Sequence, residues 1–397
     1  MPGVEYYYQN IFWYQTLMSV EGNLDGGLEF YRTNPYTGSE QHRYGLIGSG
    51  VREVMAYGKR RGMKQMAYIF PNQTPFGHKE FFLDPAKNLY LENGQPSTDW
   101  FIQPNIYTES FRAWLADMIV AATDAMGWDA IFWDVAQGPP EYSDLFDWRG
   151  RRAGADLGAD ADSAGAAWFS DIASRVRAAH PRMEFMHNPE VFRSEFRYPQ
   201  SYRAGGGMTL IEMGGGGAAV AVKNSVYGTW AGLVGSLNRI RDARRRYGVE
   251  DVHVSTMSLT PLGGNTSSKT MDALTFACGF GASVPHPWPH APQGDAHRAY
   301  MRFGAARYSS LVYGRGRQWI APGRNPFSVA APDNVLWREY AYERTTPEGG
   351  ELILHLVQLP PDQYVYRRPG KQEIIRDISV SLRLPEGASV REVRLLS

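Results

Sequence analysis

A single cysteine in 397 residues excludes an internal disulfide and any zinc site built from cysteine thiolates. That residue, Cys278, ends the apolar run Leu274-Thr275-Phe276-Ala277-Cys278, which marks it as a small core residue and not a nucleophile. No stretch reaches the roughly 18 consecutive apolar residues of a membrane-spanning helix. Net charge is absent too. Lys+Arg and Asp+Glu both total 41, so there is no basic surplus for nucleic acid or an anionic membrane surface. No Gly-x-Gly-x-x-Gly turn opens a helix after a strand, which removes the dinucleotide-binding signature of a doubly wound sheet. The opening Met1-Pro2-Gly3-Val4-Glu5 lacks the form of a signal peptide, leaving a cytoplasmic protein or a secreted one whose leader was removed.

What the chain does have is length, an ordinary core composition and many aromatics. At 397 residues it exceeds the usual single-domain range of roughly 50–250, so a large domain plus a smaller one is expected. Hydrophobic residues make up 43%, enough for a sizeable core. The 11 Trp and 23 Tyr suit stacking on sugar rings, although aromatics also fill cores.

From residue 50 to about 285 helical and strand-like segments alternate, which predicts parallel strands with helical crossovers. Val51 to Arg61 reads as a helix stopped by Gly62, and Met63 to Phe70 as a strand stopped by Pro71. Glu109 to Met126 is the clearest helix, with Phe111, Trp114, Leu115, Met118, Ile119, Ala122 and Met126 on one face and Gly127 as its stop. Arg152 to Ala166 reads as loop, its Asp156, Asp160 and Asp162 lacking the spacing of a calcium loop and so taken as solvated surface. Further strands are expected at Gly127–Asp134, Met183–Met186, Met208–Met213, Val252–Met257 and Leu274–Val284, with helices at Trp168–His180 and Trp230–Tyr247. Beyond about Gly316 only short strands between Pro/Gly turns remain, at Val335–Tyr340, Leu352–Val357, Ile378–Leu384 and Val390–Leu396. The expected architecture is a (β/α)8-type (TIM) barrel over residues 1–315, followed by a C-terminal antiparallel β-sandwich over 316–397.

Barrel enzymes keep catalytic residues at the C-terminal tips of their strands. Gly127-Trp128-Asp129-Ala130-Ile131-Phe132-Trp133-Asp134 is a run of β-formers that closes on a carboxylate before breaking into Gly138-Pro139-Pro140. Glu190 and Glu212 close two later strands, and glycoside hydrolysis needs a pair of carboxyl groups, about 5–5.5 Å apart for retention or 6.5–9.5 Å for inversion. Glu212 lies between Ile211 and Met213, an apolar setting that disfavours the charged form and suits a general acid. Glu190 follows Asn188-Pro189 and fits either a substrate hydroxyl or the acid/base role itself, as in barrels resembling the α-amylase type. Trp133, Trp148 and Trp288 lie at or after strand ends, where they could form sugar platforms, and Tyr68, His187 and Asn188 are further substrate contacts. The His286-Pro287-Trp288-Pro289-His290 segment cannot be helical, which excludes a zinc-helix motif; a metal site from His286, His290 and His297 is a lesser alternative to a subsite wall. This reading requires no cofactor.

Four stretches resemble glycoside hydrolase family 66, the dextranases and cyclic isomaltooligosaccharide glucanotransferases. Glu5 to Tyr14 is similar to the segment after that family's second strand, and Gly62-Met63-Lys64-Gln65-Met66-Ala67-Tyr68 to its third. Gly127 to Asp134 resembles the fourth, which ends in the nucleophilic aspartate, and Leu210-Ile211-Glu212 the later strand that ends in the acid/base glutamate. The offset of 78 from Asp134 to Glu212 fits that layout, as does the trailing β-domain. The resemblance implies a retaining mechanism, with the two carboxyl carbons about 5–7 Å apart. One departure follows from the short N-terminal part, which lacks the family's own β-domain. The barrel is shortened there, or Tyr6 to Tyr14 provides its only early strand. A non-catalytic sugar-binding barrel is the reading from a different functional class.

Overall fold

A computed structural model of the chain describes residues 6–9, 29–33, 40–44, 48–69, 91–92, 95–96, 108–133, 157, 160–187, 199–204, 208–212, 228–249, 251–255, 265–283, 317–361, 363–365 and 373–395. Seven parallel strands form one sheet: β1 (Tyr6–Gln9), β4 (Lys64–Ile69), β7 (Ala130–Trp133), β8 (Glu184–His187), β9 (Met208–Glu212), β10 (Asp251–Ser255) and β11 (Gly281–Ser283). Their spatial order is their chain order. A doubly wound sheet reverses direction at a switch point, and this one does not. Two small antiparallel pairs are inserted, β2 (Glu29–Thr33) with β3 (Glu40–Tyr44) and β5 (Leu91–Glu92) with β6 (Gln95–Pro96). Because β1 pairs directly with β4, the Tyr6 segment supplies the early strand next to the one expected at Met63–Phe70.

Helices α1 (Gly48–Arg60), α2 (Glu109–Met126), α3 (Ala161–Ala179), α4 (Pro199–Ala204), α5 (Trp230–Tyr247) and α6 (Asn265–Ala277) connect these strands. On α2 the buried residues Phe111, Leu115, Ile119, Ala122 and Met126 repeat at helical spacing. Thr108 caps its start, and Gly127, at φ 73°, supplies the left-handed residue that ends it. One apolar core joins these residues to Met55 of α1, to Trp168, Phe169, Ile172 and Val176 of α3, and to Ala67, Ile131, Trp133 and Phe185 of the sheet. Arg112, nearly buried on α2, bonds Asp171 of α3 through Nε at 2.6 Å, and Arg175 bonds the other oxygen at 2.8 Å.

Two expected segments are corrected. Helix α3 starts at Ala161, inside the stretch read as loop, because Asp160 forms a reciprocal capping box with Ser163. Asp162 is no free surface charge either, since it accepts the backbone N–H groups of Gln200 and Ser201 at the start of α4. The strand expected over Leu274–Val284 is divided: α6 runs to Ala277, residues 278–280 turn, and Gly281–Ser283 is strand. Its buried Met271, Leu274, Thr275 and Cys278 follow a helical period that continues from before the apolar run.

The C-terminal part is antiparallel. β12 (Arg317–Trp319), β15 (Ala341–Thr346) and β16 (Gly349–Leu354) form one sheet; β13 (Phe327–Ala330) pairs with β18 (Ser379–Leu382), and β14 (Val335–Leu336) with β17 (Val357–Gln358). The strand expected at Val335–Tyr340 stops at Leu336, and that at Leu352–Val357 is divided between β16 and β17. Residues 390–395 are not a strand: Val393 and Leu395 are 84% and 92% exposed, so their alternation buries no face. A second core packs Trp230, Leu233, Leu237 and Ile240 of α5 and Met271 and Leu274 of α6 against Tyr340, Val357 and Val365. Around it, Trp319 donates from Nε1 to the Glu339 carbonyl at 2.7 Å, and Arg241 lies 4.1 Å over the Trp319 ring while bonding the same carbonyl.

Candidate active site

The parity of the parallel strands sorts their residues between two faces. Ile131 and Trp133 belong to the core under the helices, and Trp133 meets Trp168 edge-on at 5.5 Å and lies parallel to Phe185 at 6.1 Å. His187 stands in register with Trp133 and lies 4.6 Å from the Phe169 ring of α3, so it shares that face. Trp133 is 1% exposed and His187 0%. Both were expected to touch sugar. Both lie buried on the face of the sheet that α3 covers.

The opposite face starts from Ala130 and Phe132. Register continues it across the sheet, with Phe132 opposite Tyr68 and Met186, and Met186 opposite Met208. Counting along β9 by twos places Leu210 and Glu212 on this face, with Glu212 the last residue of its strand. On β10, His253 pairs with Leu210 and Ser255 with Glu212; on β11, Gly281 and Ser283 pair with those two in turn. Positions 68 and 212 therefore share a face, and 212 sits at the C-terminal edge where catalytic groups of parallel-strand enzymes gather. The side chains of Tyr68 and Glu212 lie outside the described residues, as do Asp134, Asn188, Glu190, Trp148 and Trp288, and His286, His290 and His297 of the lesser metal alternative.

The N-terminal end of the same face carries an ion pair. Lys64 of β4 bonds Glu184 of β8 at 2.6 Å, reaching across β7, where Ala130 is small enough to leave room. Asp129 accepts the Gln65 N–H at 2.8 Å and offers its own carbonyl to Glu184 N, fixing the register of three strands below the site. Sequence reading missed the Lys64–Glu184 pair and the positions of His253, Ser255 and Ser283. Only pairing register, which composition does not reveal, collects them.

Cys278 is no nucleophile. Burial pushes its thiol up to about 12, which leaves no thiolate at neutral pH. Among the described residues no group of His, Cys, Asp or Glu is arranged to hold a metal ion, and no helix is long and apolar enough to cross a membrane.

No family model matches the chain, and no curated protein matches it in sequence. Solved structures do resemble it. A cycloisomaltooligosaccharide glucanotransferase from Paenibacillus sp., complexed with cycloisomaltoheptaose, aligns with a TM-score of 0.62 at 9% identity, over 98% of this chain and 77% of that one. An α-galactosidase from Lactobacillus brevis gives 0.48 at 14% identity, over 78% of this chain and 37% of that one. A maltogenic α-amylase from Thermotoga neapolitana gives 0.48 at 12%, over 79% and 69%. The chain thus spans little more than a third of the Lactobacillus enzyme. The likeness to the glucanotransferase runs over nearly all of this chain and shows that the two share a fold.

Proposed function

We propose that this protein is a retaining glycoside hydrolase or transglycosylase of the family 66 type, acting on an oligosaccharide or polysaccharide, an α-glucan such as dextran before others. The nearly full-length likeness to a glucanotransferase complexed with a cyclic oligosaccharide carries this reading. The seven sequential parallel strands fit most of a (β/α)8 barrel extending to about residue 315, with a β-sandwich from there on. Taken one residue past Trp133, the alternation of β7 would put Asp134 on the face of Ala130 and Phe132, and the register of β8 with β9 supports pairing it with Glu212. Asp134 then attacks the anomeric carbon and the bond to the leaving oxygen breaks as Glu212 protonates it. Glu212 next takes a proton from water or an acceptor hydroxyl, whose oxygen displaces Asp134. Asn188, Glu190, Tyr68, Trp148 and Trp288 are the proposed substrate contacts.

A screen of polysaccharides, with product anomers followed by NMR, tests the assignment. Retained configuration on dextran supports it, and absence of turnover on every glycan that binds favours the sugar-binding barrel instead. Asp134→Asn should abolish glycosyl-enzyme formation, since an amide is too poor a nucleophile. Glu212→Gln should lower kcat on dextran by about 10²–10⁴ while sparing activated aryl glycosides, which need little proton assistance. Azide added to Glu212→Ala should yield a glycosyl azide of retained configuration; an inverted azide removes Asp134 as nucleophile. If Glu190→Gln shows this pattern and Glu212→Gln does not, the acid/base role passes to Glu190.

A further inference from the structure

Between β17, which ends at Gln358, and β18, which starts at Ser379, the C-terminal part sends one short segment to the start of α5. The N–H of Trp230 donates to the Gln363 carbonyl and that of Val365 to the Gly228 carbonyl, both at 3.1 Å, and Thr229 and Tyr364 stand opposite each other as an antiparallel bridge. The direction of α5 places this bridge. Strand β9 ends at Glu212 on the C-terminal edge of the sheet, and β10 re-enters at the N-terminal edge, where Asp251 pairs with Met208. The last turn of α5 lies at that N-terminal edge, since Arg244 donates to the Gly279 carbonyl just before β11. The 18 residues of α5 span about 27 Å at helical rise, against about 17 Å for β10, so its first turn lies at the C-terminal edge.

Val365 and Trp230 are buried in the second core, at 0% and 3% exposure. Alternation sends the Tyr364 side chain to the other side from Val365, beside Thr229, where it is half-buried. Val365 alone serves the core. We infer that Tyr364 is a substrate contact, supplied by the C-terminal part at the rim of the catalytic edge, for a sugar unit of the glycan beyond the cleaved bond. This rests on the reading of the protein as an enzyme of glycan chains. A phenol offers an apolar ring face to the C–H side of a pyranose and a hydroxyl to the sugar's own hydroxyls. The two backbone hydrogen bonds hold the segment before substrate arrives, and Pro360 and Pro361 restrict its approach from β17, so little ordering is left to binding.

The test is binding and turnover of dextran by the full chain, with variants checked for folding by circular dichroism. Tyr364→Leu keeps apolar bulk but removes the ring face; it should weaken dextran affinity in native gels, and raise KM on dextran, by about 2- to 10-fold. The loss should fall on KM and not on kcat, and Tyr364→Trp should restore it. A short aryl glycoside, with no sugar beyond the cleaved bond, should show a smaller loss than dextran. Unchanged dextran affinity in Tyr364→Leu, or equal losses on dextran and the aryl glycoside, overturns the contact while leaving the glycosidase reading in place. A wild type that binds dextran without cleaving it overturns the glycosidase reading, and gel affinity then decides on Tyr364. A wild type that neither binds nor cleaves dextran overturns both. If Tyr364→Leu does not fold, unchanged affinity in Tyr364→Met overturns the contact equally.

Discussion

Gly279 meets two constraints at once. Its φ of 79° lies in the left-handed region, and a Cβ built there would overlap the Arg317 guanidinium. Gly248, at φ 64°, has the same backbone need but open space around it. Gly248→Ala should therefore cost about 1–2 kcal/mol, the steric penalty of that conformation. Gly279→Ala should cost more, because Arg317 must also leave its place 3.6 Å over the Tyr342 ring. Urea midpoints of the two variants compare them directly. His355 gives a pH-dependent prediction. Enclosed edge-on between Phe276 and Tyr342, its pKa is lowered to about 4, first by burial and then by the Arg317 charge. Above pH 6.5 the ring is neutral folded or unfolded and contributes no slope. Between about 6.5 and 4 the unfolded chain takes up a proton that the folded one refuses, so stability falls as pH falls through that window. His355→Leu should lose less stability than the wild type between pH 7 and pH 5 in urea titrations.

At the scale of the element, α5 shows how local signals and tertiary contacts combine. Thr229 caps it by accepting the Gly232 N–H at 3.1 Å, and Gly248 closes it in the left-handed conformation. Thr229→Ala should cost about 1 kcal/mol, measurable as a lowered urea midpoint with an unchanged slope. Helix α3 has the same kind of start, but Asp160 and Ser163 stand in a run of Asp, Ala and Gly that conceals it. Most of this layer was legible in the chain: α1, α2, α5 and the parallel strands announce themselves by period and glycine stops. Helix α4 had no counterpart among the expected elements, and α6 carries Leu274 to Ala277 in a short apolar run that fits a buried strand or a buried helix equally. Its contacts with α5 and the C-terminal strands decide for the helix.

For the whole molecule, the second core has consequences for folding. Tyr340, Val357 and Val365 complete an apolar cluster whose other half belongs to α5 and α6, so neither half is closed alone. The C-terminal strands and the end of the parallel sheet should unfold together, in a single transition by calorimetry and by near-ultraviolet dichroism. A chain ending at residue 316 should be insoluble or bind a hydrophobic dye, since Trp230, Leu233 and Leu237 would lose their cover. Two separate transitions would show that the shared core is not needed for either part.

The alternation of helices and strands, their stops, and the change to short strands near residue 316 follow from period and punctuation, so the sequence alone determined them. The carboxylates at the ends of expected strands were visible in the same way. The faces of those strands were not. An apolar strand buried on both sides reads as a continuous run, and nothing in Ala130-Ile131-Phe132-Trp133 says which residues meet the helices. Packing of Trp133 on Trp168 and Phe185 settled that, and by parity it moved Trp133 and His187 out of the candidate site. Register then set His253 opposite Leu210 and Ser255 opposite Glu212, across a sequence distance that carries no local signal. Helix propensity and strand pattern act over a few neighbouring residues, whereas a site on a parallel sheet is assembled across strands, and only tertiary pairing sets which residues stand side by side.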